Sequence, residues 1–435
     1  MTGGDRKINR FIEPLFVIAI LAGIAHAMWF LSENLYLPQP FFFNPGDTYM
    51  DWFNTSYWAH TDAAYDTWAT IYPPISFVFL KIFSIDACYE NAEPSFAREC
   101  DWLGMATLHG FWIVNIILVS WAYIKHDKST ALYRSIAVGA GLPMLYALDR
   151  GQLVVVTFAF VVLGFGNILH SARLRWLSIA VAINFKPYLI GAIFPFILKR
   201  QWTRFEGSAI AVVLVYGITW YIYGDGSPIK LYENIVGFAD IFQAINFLDL
   251  WYSATYIPML SLFAGPAPTT LLIGSDRLEF WEVAIPIIWR SIQILIFAAA
   301  SLSFFLPRVI NIQRLALLAI GLSLISSEAG GYTQVFLMFF VMLERWDSPF
   351  QKLAILIAYT LCIPAEIWFN LLPPFWYYSY FAERPVFLEY GLGMGPILRP
   401  GLILLMCASL ALDTLARLYA AWRARAILVE APSPS

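Results

Sequence analysis

Charge is what this chain has least of. Asp, Glu, Lys and Arg make up only 13% of its 435 residues, while 60% are hydrophobic. A soluble domain would be near a quarter charged, so a free-standing soluble fold is excluded and an integral membrane protein is indicated. The net charge of −3 by itself says nothing about nucleic acid, but there is no basic stripe of the kind such binding needs. Histidine is sparse too: His26, His60 and His109 are scattered, with no metal-ligand spacing. A divalent metal is neither required nor excluded, and no other cofactor is implied. Of four cysteines, Cys88 and Cys100 flank a polar stretch. They would pair in an oxidising compartment and stay as two thiols otherwise. Cys362 and Cys407 fall in apolar runs and read as packing residues.

What the chain has in quantity is long apolar runs. Crossing a bilayer takes roughly 20 apolar residues. Full spans are expected at 11–31, 105–124, 131–148, 152–169, 208–223, 281–305, 353–372 and 397–416. The first follows Arg6, Lys7 and Arg10 and is too long for a signal-peptide core, so it reads as a retained helix with a cytoplasmic N-terminus. Two further stretches, 176–198 and 315–343, carry basic residues at both ends. Both ends of each then lie in the cytoplasm, and each stretch must enter and return. They break near their middles, at Asn184-Phe185-Lys186-Pro187 and Glu328-Ala329-Gly330-Gly331. Arms of about 12 residues reach roughly 18 Å at helical rise, so these are re-entrant hairpins. Non-helical backbone at that depth needs a protein or watery cover. On this topology Lys and Arg lie roughly two to one on the cytoplasmic side. Three long segments fall outside: 32–104, with a short apolar piece at 75–85 in the interface, then 224–280 and 373–396. The expectation is an all-α polytopic membrane protein. It has one domain over 1–422, interfacial helices outside, and a disordered cytoplasmic tail from 423 to 435.

Candidate chemistry gathers on the outer side. Asp47 and Asp51 share a face if their stretch is helical, although Asn44-Pro45-Gly46-Asp47 is also good turn chemistry. Asp149-Arg150-Gly151-Gln152 joins two spans. Lys186 and Glu328 stand at the hairpin tips, where a charge faces a cavity rather than lipid. Each has a plainer reading: Lys186 and Arg150 could snorkel to headgroups, and Glu328 could partner an arginine. Arg290, inside the 281–305 span, either meets an internal acid or touches an anionic ligand. The aromatics at Phe41-Phe42-Phe43 and over 375–381 suit an interfacial belt, or a stacking surface for sugar or lipid.

In this order the pieces resemble polytopic glycosyltransferases of the GT-C superfold. The polyprenol-phosphate-mannose-dependent mannosyltransferases of family 87 are the type most resembled. The resemblance rests on Asp47 after the first helix, Ala64-Tyr65-Asp66 and Ile71-Tyr72-Pro73-Pro74, Gly151-Gln152, Asn184-Phe185-Lys186-Pro187, and the late segment Ser326 to Gln334. The late motif departs from the family's usual Pro followed by Trp or His, and Asp51 is an added acid. The resemblance implies transfer of a sugar, mannose by type, from a polyprenyl-phosphate-linked donor to a lipid or glycan hydroxyl. Transfer would invert the anomeric centre and occur on the periplasmic or outer face of a bacterial inner membrane. It implies Asp47 as general base, with Asp51 as understudy. It implies Lys186, Arg150 and Arg290, in that order, as phosphate binders, and Glu328, Gln152, Tyr72 and Tyr332 for sugar or acceptor. Two readings compete. A polysaccharide polymerase or ligase would want outer loops rich in Arg and His, whereas these are acidic. A secondary transporter would want broken helices entering from opposite sides.

Overall fold

Apolar runs of this length leave the backbone no partner in lipid but itself, so they close into helices. In a computed structural model, the residues described are 3–41, 44–61, 63–90, 93–242, 252–264, 275–328, 330–371 and 373–430. Among them six helices are long and apolar enough to span a membrane: Phe11–Asn34, Trp102–His126, Ala131–Arg150, Trp202–Tyr223, Glu279–Leu302 and Gly395–Arg425. Ala131–Arg150 is bent, as α-helices Ala131–Gly139 and Leu142–Arg150 meeting at Ala140-Gly141. Helix Trp202–Tyr223 turns Ile210, Val213, Leu214 and Tyr221 outward, a surface suited to acyl chains rather than water. The fold is that of a helical, polytopic membrane protein.

Two expected spans are corrected. The run 152–169 forms a helix only over Val154–Phe165, ended by Gly166, and 353–372 only over Pro349–Leu361. At 1.5 Å per residue either reaches about 20 Å, short of a hydrocarbon core of about 30 Å. Pro364 follows the second helix and has no amide hydrogen to extend it. Both short helices pack in the interior with the broken segments. The breaks fall where expected. Helix Ala172–Phe185 stops at Lys186, and a 3-10 turn over Pro187–Ile193 leads into Phe194–Leu198. Helix Ile312–Ser326 stops before a 3-10 turn at Gly331–Thr333 and helix Gln334–Val341.

The third outer segment is not helical. Strand β1 (Trp368–Leu371) pairs antiparallel with β4 (Gly391–Gly393), and β2 (Phe375–Ser379) with β3 (Arg384–Leu388). The aromatic run 375–381 has the bulky, flat side chains that suit a pleated surface. The first and second outer segments do carry short helices, at Met50–Ala59, Pro74–Ile82, Pro94–Cys100, Pro228–Phe242 and Ile257–Ala264. The tail is also corrected: one helix runs from Gly395 to Glu430, while 431–435 lie outside the described residues.

The end of the bundle opposite these segments is held by buried ions. Arg314 Nε and Nη2 each donate to Glu344 at 2.6 Å, and its Nη1 reaches Asp413 at 3.0 Å. Glu13 pairs with Arg134 at 3.1 Å and accepts from Tyr359 Oη at 2.9 Å. Arg134 Nη1 in turn donates to the Glu344 carbonyl at 2.8 Å, so the two networks touch. Removing one member leaves an uncompensated buried charge. Glu344→Ala is therefore expected to destabilise the fold by about 3–5 kcal/mol. Thermal unfolding in nanodiscs would show this as a large fall in midpoint, and Glu344→Gln, which keeps the volume and one acceptor oxygen, as a smaller one.

Candidate active site

The first acid sits in a turn, not on the helix. Asn44 to Asp47 closes through Asp47 N to Asn44 O at 3.0 Å, and the helix begins only at Met50. Asp51 lies in its first turn. Tyr49, between the two acids, has φ 66, a conformation rare for a bulky residue. It is held there by its N–H, which donates to Asp149 O at 2.7 Å. Gly151 makes the contact possible. Its φ is +69, and a Cβ there would lie 2.5 Å from Tyr49 O. The Asp47 loop is thus seated on the Asp149–Gln152 turn.

That turn delivers Arg150 and Gln152. Arg150 grips Asp51 with both edges, Nε to Oδ2 at 2.9 Å and Nη2 to Oδ1 at 3.0 Å. Gln152 Nε2 donates to Asp51 Oδ2 as well. Gln152 Oε1 accepts from Lys186 Nζ at 3.1 Å and from Tyr72 Oη at 3.4 Å. Lys186 Nζ lies over the Tyr72 ring at 4.4 Å. Lys186 is only 7% exposed and, among the described residues, forms no ion pair. A buried ammonium without a carboxylate is costly, and such a position suits an anionic ligand. Residues separated by more than a hundred positions therefore form one chain of contacts, Arg150–Asp51–Gln152–Lys186–Tyr72.

The two acids differ in state. Asp51 is spent on Arg150. The Asp47 carboxylate accepts no hydrogen bond among the described residues. Burial raises its pKa to about 6, partly offset by Arg150 and Arg98, with Asp51 pushing the same way as burial. A carboxylate that ionises near neutrality and has unfilled lone pairs can take a proton. Burial also raises the Tyr72 phenol, which stays a neutral donor.

The other expected site residues divide. Tyr332 joins the cluster, stacked on Tyr146 with ring centroids 6.2 Å apart and within the electrostatic reach of Asp51 and Arg150. Glu328 lies next to it but is fully engaged. It accepts from Ala254 N at 3.1 Å, Thr255 N at 2.9 Å, Thr255 Oγ1 at 2.6 Å and Gly330 N at 2.9 Å. Among the described residues its partners are three backbone amides and the Thr255 hydroxyl, not an arginine. Glu328→Ala is expected to free residues 252–256, seen as faster amide exchange there with the rest of the fold protected. Arg290 does not reach the cluster. It is exposed on the bundle surface and donates to Gln293 Oε1 of its own helix at 2.9 Å. Cys88 and Cys100 form a disulfide with Cα atoms 5.6 Å apart, while Cys362 and Cys407 are buried and free. Among the described residues no three His, Cys, Asp or Glu side chains gather as a metal site.

Sequence reasoning missed Tyr146, Tyr252 and Arg98. Tyr252 packs on Tyr146 at 4.5 Å and its carbonyl accepts from Gly331 N at 2.9 Å, so it walls the same cluster. Arg98 is 4% exposed and donates to Gly46 O and Thr48 O, both at 2.8 Å. One of only two Lys or Arg residues in the mainly acidic first outer segment, with Lys81, it was the available signal. Fold and site together define a polytopic membrane protein with a buried acid–cation cluster at the loop-bearing end of its helices. No family model matches the chain, and no curated protein or solved structure matches it either.

Proposed function

We propose that the protein is a membrane glycosyltransferase that moves a sugar, mannose in the first instance, from a polyprenyl-phosphate donor to a hydroxyl of a lipid or glycan acceptor. The observation that carries this reading is the contrast between the acids. Among the described residues the Asp47 carboxylate accepts no hydrogen bond and has a raised pKa, and it stands beside a cluster whose Lys186 has no ion-pair partner. A phosphate leaving group is already stable as an anion, so the reaction needs one base and cations, not two acting carboxyls.

In this reading the acceptor oxygen attacks the anomeric carbon while the bond from that carbon to the phosphate oxygen breaks. The electron pair leaves with polyprenyl phosphate, and the acceptor proton passes to Asp47. One displacement inverts the anomeric centre. Lys186 and Arg150 hold the phosphate as its charge grows. Asp51 acts through Arg150, fixing the guanidinium, and Gln152 relays the same order to Lys186. Tyr72 and Tyr332 offer ring faces and hydroxyls to the sugar. Glu328 shapes the wall by tying down 252–255, and Arg290, on the bundle surface, would meet the donor only outside the cluster. The loop-bearing end then faces the periplasm or exterior.

The test is radiolabelled transfer by purified protein in nanodiscs, from polyprenyl-phosphate-mannose to an envelope lipid fraction. Labelled product of inverted configuration is expected. Failure with every lipid-phosphate sugar tried would sink the reading, and solute flux through proteoliposomes would favour a transporter instead.

A further inference from the structure

A hollow lies beside the Asp47 loop. Its volume is about 450 Å³, and Arg98, Glu99, Trp102, Tyr380, Phe381 and Glu383 line it. This is within the range of about 300–1,000 Å³ typical of small-ligand sites. Its wall is fastened to the loop. Arg98 holds the two carbonyls that flank Asp47, those of Gly46 and Thr48, and Tyr380 N donates to Pro45 O at 3.0 Å. Arg150 and Arg98 both favour the charged form of Asp47. The Asp47 loop is therefore fastened on one side to the wall of this hollow and on the other to the turn that carries Arg150.

The lining has a definite chemistry. Trp102 is 69% exposed, and Phe381 is exposed as well. Both are available to the C–H faces of a ring. An aromatic belt alone would explain Trp102, but not the carboxylates of Glu99 and Glu383 set beside it in a concavity. Carboxylates accept from hydroxyls, and one arginine against two glutamates disfavours an anionic ligand. Arg98 stacks on the Tyr380 ring at 4.2 Å, and its Nε is buried without an acceptor among the described residues, leaving one donor unused there.

We infer that this outer hollow is the acceptor subsite and that it takes the neutral glycan end of the acceptor. The inference rests on the glycosyltransferase reading for its role but not for its test. Protein in nanodiscs is mixed, without donor, with methyl glycosides of mannose, glucose and galactose, with octyl mannoside, and with methyl glucuronide. Binding is read by saturation transfer to the ligand. The neutral glycosides are expected to bind, and Trp102→Ala and Glu383→Gln to weaken them at least tenfold. Stronger binding of octyl than methyl mannoside, lost in the same variants, would point to a lipid-borne acceptor; equal binding would point to a free glycan. No signal above empty nanodiscs, signal indifferent to both variants, or preference for the glucuronide would overturn the inference. Donor turnover, measured separately, decides the glycosyltransferase reading whichever way the binding falls.

Discussion

Asp47→Asn is expected to cut sugar transfer by about 10²–10⁴-fold, the usual contribution of a positioned general base. The same change is expected to make the protein more stable at pH 7. The sign follows from the carboxyl's pKa, raised from 3.8 unfolded to about 6 folded. The folded state holds the proton more tightly, so the stability this group contributes is full below pH 3.8 and is lost as pH rises through 6. At neutral pH the wild type therefore carries a buried charge that asparagine does not. Allowing for residual solvent access, the gain is about 2 kcal/mol. Wild type and variant should unfold at the same midpoint near pH 4 and diverge by pH 7. A variant that is inactive and also less stable would mean that Asp47 supports the loop rather than the chemistry.

Lys186→Met should show the second large effect. Methionine keeps most of the volume and removes the charge. No carboxylate is orphaned, because Lys186 has no ion-pair partner among the described residues, and Gln152 Oε1 keeps Tyr72 as a donor. The fold should hold or gain stability. Transfer should fall by about 10²–10³-fold, the scale for losing one preorganised group at a developing charge. Binding of the isolated leaving group, polyprenyl phosphate, should weaken in parallel. Arg150→Met makes the contrast, since it strands Asp51 and should lose stability as well as activity. If Lys186→Met binds the phosphate as wild type does, Arg150 carries the anion alone.

The broken helices were legible because their cause is local. Lys186 before Pro187, and Gly330-Gly331, cannot continue a helix, and the basic flanks show that the chain turns back. The convergence of Asp47, Asp51, Arg150, Gln152 and Lys186 at the loop-bearing end was legible as a topological consequence. Which acid is free was not. That depends on Arg150 choosing Asp51, a pairing across 99 positions that only packing decides. The strands at 368–393 were missed because an aromatic run reads equally as a membrane belt. The short interior helices were missed because apolar length alone does not reveal where Gly166 or Pro364 stops a helix. The direction of Arg290 was not legible, because an arginine deep in a span usually turns inward, whereas here it is exposed and bonds Gln293 along its own helix.

The most direct test of the account is the pH dependence of transfer from polyprenyl-phosphate-mannose, wild type beside Asp47→Asn, from pH 5 to 8 under single-turnover conditions. The wild-type rate should fall about tenfold per unit below pH 6 and level off above it, because only the ionised carboxylate accepts the proton. The variant should be nearly silent throughout. A flat wild-type profile, or a variant that keeps the wild-type rate, would contradict the assignment of Asp47 as the base.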